Sequence, residues 1–356
     1  MTTHGGFEPV FCTIVPPHVL DRLAQTEDPA LARPARRTLE RDALERTRRR
    51  LTTVIGAPAV AAPATAEAEK PHRTIYDLRH GTDLPGTKVR SEGDAPGKDA
   101  TVNRAYAGLG ATFELYLKAY GRDSIDGSGL PLDASVHYDK DYNNAFWNGE
   151  QMVFGDGDGE IFLDFTIPID VIGHELTHGV TQYTANLTYF GQPGALNESL
   201  SDVFGSLIKQ YSLGQTAAEA DWLIGAGLLA PRVTGTALRS MKAPGTAYDD
   251  DVLGKDPQPA TMDDFVRTGR DNGGVHINSG IPNHAFYLLA TALGGNAWER
   301  AGQIWYDTLT GGQLKKDALF ADFATLTVAA AKARYGAGDE TDAVSKAWEQ
   351  VGVRTL

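Results

Sequence analysis

Two histidines and a glutamate in one short stretch of this chain have the types and the spacing of a metal site. His174, Glu175 and His178 stand in the run His-Glu-Leu-Thr-His. An α-helix places positions i and i+4 on one face, so in a helix the two imidazoles point the same way. Two such imidazoles can bind one zinc ion at about 2.0–2.1 Å. Glu175 would stay close to the ion, where its carboxylate can take a proton from a water that the metal activates.

The residues around this motif favour a helix. Pro168 and Asp170 indicate its start, and Asp170 is predicted to be the N-cap. Val171, Leu176 and Val180 then supply apolar positions. A chance occurrence of the motif is the alternative, and a third ligand at a suitable place would argue against it.

A third candidate ligand lies in the polar run Asn-Glu-Ser-Leu-Ser-Asp at 197–202. A catalytic zinc usually has three protein ligands and one open position, and Glu198 can be the third. Asp202, one helical turn further on, can accept the free ring N–H of a zinc-bound histidine and so fix its tautomer. Taken alone, the two carboxylates would be a solvated helix face. The run opens a second helical pattern, with apolar residues at Leu196, Leu200, Val203, Phe204, Leu207 and Ile208.

Together the two motifs resemble those of the thermolysin-like zinc endopeptidases. The resemblance covers residues 72–352 and implies an α+β fold, with a β-rich N-terminal half and a mainly α-helical C-terminal half. The zinc helix and the active-site cleft would lie between the halves. The metzincin pattern is excluded, because it needs a glycine and a third histidine where this chain has Thr181 and Thr184. The inverted motif His-x-x-Glu-His is absent.

Composition limits the classes of partner. The chain has 356 residues and a net charge of −13, which argues against nucleic acid or an anionic membrane as the main partner. No run approaches the ~20 apolar residues of a membrane span. One cysteine excludes an internal disulfide framework. We expect a monomer.

The N-terminus does not look like a Sec signal peptide, since it lacks a basic n-region and an uninterrupted apolar h-region. The family resemblance favours secretion. Export would then use another route or a signal already removed, and retention in the cytoplasm is the alternative.

Residues 1–70 are predicted to be a prosegment and a linker. Residues 11–57 form a separate small unit that is strongly basic at 35–51, and an Ala/Pro-rich exposed linker follows. The run Ile-Val-Pro-Pro at 14–17 resembles the short prosegment of protealysin-type members of the family. This implies a zymogen inhibited by its own prosegment, with maturation near 58–72. An N-terminal helical extension that is never removed is the alternative.

Cys12 in this segment has two interpretations. Its thiolate could occupy the open zinc position and keep the precursor inactive, because zinc binds thiolate well. Otherwise Cys12 is a small buried apolar residue.

The β-rich half, residues 71–183, carries short strand-like runs between Gly, Asp and Pro turns. Candidate strands are 74–78, 135–138 and 151–154, and a helical pattern interrupts them at 103–120.

The run at 143–149 resembles the substrate-binding edge strand of the family. An open edge offers unpaired N–H and C=O groups to an extended peptide. By resemblance, Asn144 and the backbone of Ala145 would bind the substrate. Without the resemblance, the run is an aromatic strand that ends in a turn.

The C-terminal half, residues 184–356, is mainly helical by pattern, with its last helices at 297–312 and 321–352. By resemblance, Tyr189 would hydrogen-bond the reacting carbonyl. Arg239 would bind the substrate carbonyl after the cut bond and support Glu198, which suits a bidentate guanidinium. Taken alone, these two residues would be a packed aromatic and a surface arginine.

A third signature, at 271–283, matches the family almost without gaps. Consecutive Gly273 and Gly274 let the backbone turn sharply toward the site. By resemblance, His276 would face the cleft and Asp271 would orient its ring. His284 is interpreted as structural.

The resemblance implies a complete mechanism. Zinc would be held by the three ligands and a water, with Glu175 as general base and later acid. His276 and Tyr189 would stabilise the developing oxyanion, and Asn197 and Asp202 would support the ligands. An apolar pocket would favour Leu, Ile or Phe just after the cut bond. Its walls would be Phe162, Phe165, Val171, Ile224, Leu228 and Leu238.

The double calcium site of thermolysin is predicted to be lost. Lys209, Leu223 and Ala226 stand at positions that resemble its ligands, and only Asp170 and Asp221 remain. One lysine and two apolar residues cannot hold two dications. A calcium ion elsewhere stays open.

Two other functions are alternatives for a chain with these ligands. An aminopeptidase of the same ligand class would carry a Gly-x-Met-Glu-Asn motif, which is absent. A catalytically silent, zinc-containing peptide-binding protein is the other alternative, although the ligands, the base and the oxyanion donors are all present.

Overall fold

A computed structural model describes residues 11–55 and 70–355, and these form three parts. Two helices at the N-terminus precede a sheet with its helix, and a mainly helical part completes the chain. Most of the predicted linker, and with it most of the predicted maturation region, lies outside the described residues. Within the described ranges, no helix is both long enough and apolar enough to cross a bilayer.

The N-terminal part is a helical hairpin. Pro16 adopts an extended conformation as the N-cap of the first helix, and Pro17 occupies its first turn, where a missing N–H costs nothing. The hairpin consists of α1 (Pro17–Ala24) and α2 (Pro29–Ile55).

The β-rich part is a five-stranded sheet in the order β2-β1-β3-β5-β4, so β4 lies at one edge. The β1–β3 and β3–β5 pairs are parallel, and the other two are antiparallel. The predicted run at 135–138 is wrong at its end, because His137 has a φ of 55° and the strand stops before it. The strands are β1 (Arg73–Asp77), β2 (Thr87–Ser91), β3 (Leu132–Val136), β4 (Ala145–Trp147) and β5 (Met152–Phe154).

Helix α3 (Ala100–Tyr120) begins before the predicted 103. Asp99 caps it by accepting the backbone N–H groups of Thr101 and Val102. Gly121 ends it in the left-handed conformation.

Helices α4 (Ile169–Gln182) and α5 (Gly191–Leu213) carry the two polar motifs. They cross closely at Gly173 and Gly205: a Cβ on Gly205 would lie 2.5 Å from the carbonyl oxygen of Asp170. Only glycine permits this approach, which brings the faces of the two motifs together.

The predicted N-cap of α4 is wrong. The cap position is Pro168, which makes no side-chain cap hydrogen bond. The Asp170 carboxylate instead accepts from the Lys209 ammonium and from the backbone N–H of Gly225. The Asp170 side chain is therefore engaged in a long-range ion pair and does not cap its own helix.

The helical part holds five further helices. The predicted helix at 321–352 is two helices, because Gly336 takes a φ of 82° and ends the first. The helices are α6 (Asp271–Asn278), α7 (Gly280–Leu293), α8 (Arg300–Thr310), α9 (Phe320–Tyr335) and α10 (Asp339–Gln350). Two short strand pairs lie between α5 and α6: β6 (Leu223–Ile224) with β7 (Arg239–Ser240), and β8 (Asp249–Asp250) with β9 (Gly254–Lys255).

Candidate active site

His174 and His178 lie one turn apart on α4, as predicted, and both are buried. The Nδ1 atom of His174 lies 2.8 Å from an oxygen of Asp202, and that of His178 lies 2.8 Å from the amide oxygen of Asn197. Oxygen acceptors require both Nδ1 atoms to carry hydrogen in the neutral rings. The two Nε2 atoms, 3.0 Å apart, therefore turn their lone pairs toward the same point.

Glu198 on α5 completes this cluster. Its carboxylate oxygens lie 3.5 Å from the Nε2 atoms of His174 and His178. Its Oε2 atom is buried without a hydrogen-bond partner among residues 11–55 and 70–355. Lone pairs and a carboxylate converging in a buried place repel one another unless a cation lies among them. Two imidazole nitrogens and one carboxylate oxygen match the donor set of a catalytic zinc site.

Electrostatics in the cluster agree with a cation site. Burial lowers the pKa of His178 to about 3. Burial also opposes the charge on His174, but Asp202 and Glu198 outweigh it and raise the pKa of His174 to about 9. The pKa of Glu198 is lowered well below its usual value, because the surrounding histidines outweigh the effect of burial. A divalent cation would take the place of the proton on His174.

Glu175 presents a free carboxylate oxygen beside the cluster. Its Oε2 atom accepts the backbone N–H of Trp147 at 3.1 Å, and its Oε1 atom is buried and has no hydrogen-bond partner in the described part of the chain. Burial, with the negative charge of Glu198 added, raises the pKa of Glu175 to about 8. Such a carboxylate can both take up and release a proton near neutral pH.

His276 and Tyr189 lie on the other side of Glu198. The Tyr189 hydroxyl donates to Glu198 and lies 3.3 Å from the Nε2 atom of His276. Asp271 accepts from His276 Nδ1 at 2.6 Å and from its backbone N–H at 3.0 Å. These hydrogen bonds link Asp271 to the ring that the family resemblance implies it orients.

Arg239 is brought to the site, where it was predicted to bind the substrate carbonyl after the cut bond and to support Glu198. Its guanidinium donates to both oxygens of Asp202, at 2.8 and 2.9 Å. The two oxygens of Asp202 lie within reach of the guanidinium fork, so the bidentate pair forms there. Glu198 acts on Arg239 only through its charge, which helps to raise the pKa of Arg239.

Sequence reasoning missed two residues that support the site. Asn283 donates to Asp202 at 2.8 Å, and Gln258 donates to the carbonyl of His276 at 2.8 Å. Asn283 is the last residue of the third signature and could have been found there. Gln258 stands in no motif.

The residues predicted to form the apolar pocket are all buried in the main core. Ile224 pairs with Arg239 across β6 and β7, which places this wall beside the guanidinium. Phe162 and Phe165 pack with ring centroids 5.8 Å apart. The six walls share one cluster: Phe162, Phe165, Val171, Ile224, Leu228 and Leu238.

The N-terminal segment itself lies in the cleft. The backbone N–H of Ile14 donates to the carbonyl of Ala145 at 3.3 Å, and that of Val15 donates to the Asn144 side chain at 2.9 Å. Arg239 donates to the Ile14 carbonyl at 3.1 Å. Thr13 forms an antiparallel bridge with Phe146 on the edge strand. The groups predicted to bind substrate are therefore bound to the chain's own segment.

Cys12 lies beside the metal-ligand cluster. Its Sγ atom, a ring nitrogen of His178 and a carboxylate oxygen of Glu198 are all within 4.8 Å of one another. Cys12 is also buried. Occupation of the open zinc position by its thiolate stays a prediction. Burial, followed by the charges of Glu175 and Glu198, raises the pKa of the thiol well above its usual value. A bound cation reverses this preference, because metals deprotonate a coordinating thiol.

Helix α2 covers the edge strand and fixes the segment. Asp42 accepts from the hydroxyl of Tyr142 at 2.5 Å and from the side-chain amide of Asn144 at 3.0 Å. Arg49 donates to the carbonyl of Trp147 at 2.8 Å. Polar groups of this basic helix thus bind the same strand that receives the segment.

A lysine side chain lies where the double calcium site is predicted to be lost. The Lys209 ammonium lies 2.8 Å from a carboxylate oxygen of Asp170, 2.8 Å from one of Asp221, and 2.8 Å from the carbonyl of Leu223. The positive charge beside these two carboxylates is therefore that of the Lys209 side chain. The loss of the double calcium site stays a prediction.

Comparisons with known proteins agree with this geometry. Residues 64–182 match the family model described as thermolysin metallopeptidase, catalytic domain, and residues 185–353 match the one described as its alpha-helical domain. An extracellular metalloprotease of Pectobacterium carotovorum subsp. carotovorum is 50% identical over 96% of each chain. A thermolysin of Alicyclobacillus acidocaldarius subsp. acidocaldarius is 41% identical over 78% of this chain and 50% of its own.

Among solved structures, the precursor of protealysin, a metalloproteinase from Serratia proteamaculans, is 53% identical to this chain. The match has a TM-score of 0.88 and covers 96% of this chain and 99% of that one. The predicted thermolysin-like fold is confirmed. The chain therefore belongs to the thermolysin metallopeptidase family, a family of zinc-dependent endopeptidases.

Proposed function

We propose that the chain is an inactive precursor that hydrolyses internal peptide bonds once its N-terminal segment leaves the cleft. The proposal rests on one zinc ion held by His174, His178 and Glu198. The observation that carries it is the convergence of two Nε2 lone pairs, 3.0 Å apart, on a carboxylate oxygen without a hydrogen-bond partner.

The residues around the ion have separate roles in the reaction. Bound zinc supplies charge that polarises the peptide carbonyl and lowers the pKa of a water. Glu175 takes a proton through its free oxygen and passes it to the leaving amine. His276 and Tyr189 donate hydrogen bonds to the oxygen on which negative charge develops. Asp271 holds the ring of His276 in place for that task.

Asn197 and Asp202 act behind the ligands. Each accepts the Nδ1–H of one histidine, which keeps both Nε2 lone pairs available for the metal. Asn144, the backbone of Ala145 and Arg239 align the substrate. Their present bonds to residues 14 and 15 support that role, because an extended peptide would offer the same backbone groups.

Specificity follows from the apolar pocket beside Arg239. Its buried walls favour a bulky apolar residue just after the cut bond, such as Leu, Ile or Phe. The substrates are proteins and peptides.

The organisation of the chain supports a zymogen. We assign residues 1–70 to the prosegment and linker, 71–183 to the β-rich catalytic part with the zinc helix, and 184–356 to the helical part. The prosegment acts as the chain's own inhibitor. Secretion and a monomeric state complete the proposal, and the extracellular relative supports secretion.

The test is hydrolysis of a quenched peptide with Leu after the intended bond, by the full chain and by the product of its own processing. We expect internal cleavage that a zinc chelator abolishes and zinc restores, faster after processing. Bound zinc without cleavage by either form would instead indicate a silent peptide-binding protein.

Replacing His276 with phenylalanine should lower the peptidase rate about 10²- to 10³-fold, the usual effect of losing one oxyanion donor. The ring's hydrogen bonds to Asp271 and toward Tyr189 are lost, and so is its ion pair with Glu198. The ligands His174 and His178 keep their hydrogen bonds to Asp202 and Asn197. The rate is measured beside bound zinc and thermal unfolding. An unchanged rate in a folded variant would remove His276 from the reaction.

Docking of α2 should weaken as pH rises through the range from about 4 to 6. Burial raises the pKa of Asp42 to about 6, against the opposing effects of Tyr142, Asn144 and Arg46, and Glu45 raises it further. Since the docked state binds this proton more tightly than the exposed carboxyl does, docking is strongest at low pH. Across this pH range, the free energy of docking of α2 changes by up to ~3 kcal/mol.

Hydrogen exchange of α2, corrected for the intrinsic effect of pH, measures this dependence in the full chain. Asp42→Asn keeps the shape and should flatten the profile between pH 4 and 6. A profile of equal slope in the variant would assign the pH dependence to other groups.

A further inference from the structure

We infer that residues 12–15 lie in the cleft as a latent substrate, with the Thr13–Ile14 peptide bond at the reacting position, and that Cys12 keeps this bond from being cut by occupying the open position on zinc. The inference rests on the proposed function and adds to it a self-cleavage site and the residue that blocks it.

The position of the carbonyl groups identifies the bond. The carbonyl oxygen of Thr13 lies 3.2 Å from His276 Nε2, which itself lies 3.6 Å from the Oε2 atom of Glu198. The next carbonyl, that of Ile14, is bound by Arg239 at 3.1 Å. Of these two carbonyls, that of Thr13 therefore lies beside an oxyanion donor and a metal ligand, where a carbonyl would be attacked.

The edge strand sets the same register. The N–H of Ile14 donates to the Ala145 carbonyl, and the N–H of Val15 donates to Asn144. Both groups belong to the residues that follow the Thr13–Ile14 bond. Ile14 is also fully buried and apolar, so it satisfies the side-chain preference proposed for the residue after the cut.

A segment so placed would be hydrolysed unless something prevents it. The Cys12 Sγ atom stands with His178 and Glu198 in a group spanning no more than 4.8 Å. The adjacent Oε2 of Glu198 and Oε1 of Glu175 are buried, and no described residue hydrogen-bonds to either, which indicates that the space among them accepts a cation and its fourth ligand. A thiolate in that position leaves no place for the attacking water.

The latent reaction is an ordinary hydrolysis. The oxygen of water bonds to the Thr13 carbonyl carbon, the bond from that carbon to the Ile14 nitrogen breaks, and a proton passes to that nitrogen. The products are a carboxylate at Thr13 and an amine at Ile14. Helices α1 and α2 follow the cut and stay with the larger product, so its mass differs from that of a chain cut within 58–72.

The experiment uses the full chain loaded with zinc and compares the original with Cys12→Ala and Cys12→Ser. Intact mass and N-terminal sequencing follow each sample. We expect both variants to lose residues 1–13 and acquire Ile14 as their first residue, while the original keeps that bond. Adding Glu175→Gln to Cys12→Ala should stop the cut. Adding Ile14→Asp instead should also stop it, because a carboxylate does not suit the apolar pocket.

A second readout is independent of cleavage. With cobalt in place of zinc, the original chain should show a thiolate-to-metal charge-transfer band that Cys12→Ala lacks. The chain has one cysteine, so such a band can be assigned only to Cys12. Absence of the band in the cobalt-loaded original would overturn the role of Cys12, even if both variants failed to fold.

The outcomes separate this inference from the proposed function. If the processed protein cleaves the quenched peptide while both cysteine variants keep the Thr13–Ile14 bond, the register is wrong and the peptidase stands. A cut at another bond of residues 11–17 would also overturn it. If no form cleaves any peptide with zinc bound, the proposed function fails first.

Discussion

Glu175→Gln is expected to keep the fold and the bound zinc and to lower the peptidase rate about 10²- to 10⁴-fold. The substitution keeps the size of the side chain and removes its ability to take a proton. Burial raises the pKa of Glu175 to about 8, so a neutral amide causes no loss of buried charge. The glutamine can still accept the backbone N–H of Trp147, the hydrogen bond that Glu175 Oε2 now makes at 3.1 Å.

The rate is measured with the quenched peptide on protein that the original, active enzyme has processed in trans, beside zinc content and thermal unfolding. Glu349→Gln, an exposed change of the same type on α10, is the matched control and should retain full activity. A Glu175→Gln protein that binds zinc and keeps more than about a tenth of the rate would show that another group moves the proton.

Much of the site could be predicted because its geometry is local. His174 and His178 are at positions i and i+4, so they share a face in any α-helix, and the same holds for Glu198 and Asp202. To predict that such residues share a face, only the type of secondary structure has to be predicted correctly. The structure brings all four together as the motifs indicated.

Long-range choices could not be predicted in the same way. Asp170 has the residue type and position of an N-cap, but Lys209 on another helix binds its side chain. Arg239 has two carboxylates within reach, and only the fold decides that Asp202 receives both hydrogen bonds.

The placement of the N-terminal segment is the largest gap in the sequence reasoning. Thr13 reaches His276 across 263 positions of the chain, and Arg239 reaches Ile14 across 225. The periodicity of apolar residues does not predict a contact between residues so far apart in the sequence. The sequence indicated an inhibitor and left the position of Cys12 open between two environments, because either suits a small sulfur-containing side chain.

Strand β2 was missed for a different reason. Three of its five residues are exposed and one is buried, so it lacks the alternation of apolar and polar residues by which a strand is recognised. Pairing with β1 holds it in the sheet.

Lys209→Met is expected to destabilise the folded chain by about 3–5 kcal/mol, the usual cost of removing one partner of a buried ion pair. The ammonium neutralises Asp170, which is fully buried, and it also binds Asp221 and the carbonyl of Leu223. Methionine fills the volume of the lysine stem but offers no donor. Asp170 then keeps only the N–H of Gly225 as a hydrogen-bond partner for a buried charge.

The pH dependence of this loss has a definite sign. Burial already raises the pKa of Asp170, and Lys209 opposes that rise. Without the lysine the pKa rises further, so the folded variant binds a proton that its unfolded form releases. The variant therefore recovers stability as pH falls and loses most at high pH.

Chemical denaturation at several pH values measures the free energy of unfolding. Adding Asp170→Asn to Lys209→Met removes the unpaired charge and should recover part of the loss and flatten its pH dependence. Lys346→Met, at an exposed position on α10, is the matched control and should change stability by less than about 0.5 kcal/mol. Because the ammonium already lies 2.8 Å from carboxylate oxygens of Asp170 and Asp221, added calcium should not stabilise the original chain through these two carboxylates. If calcium restored Lys209→Met to full stability, the two carboxylates and the carbonyl would be sufficient to bind the ion. The lysine alone would then account for the predicted loss of the calcium site.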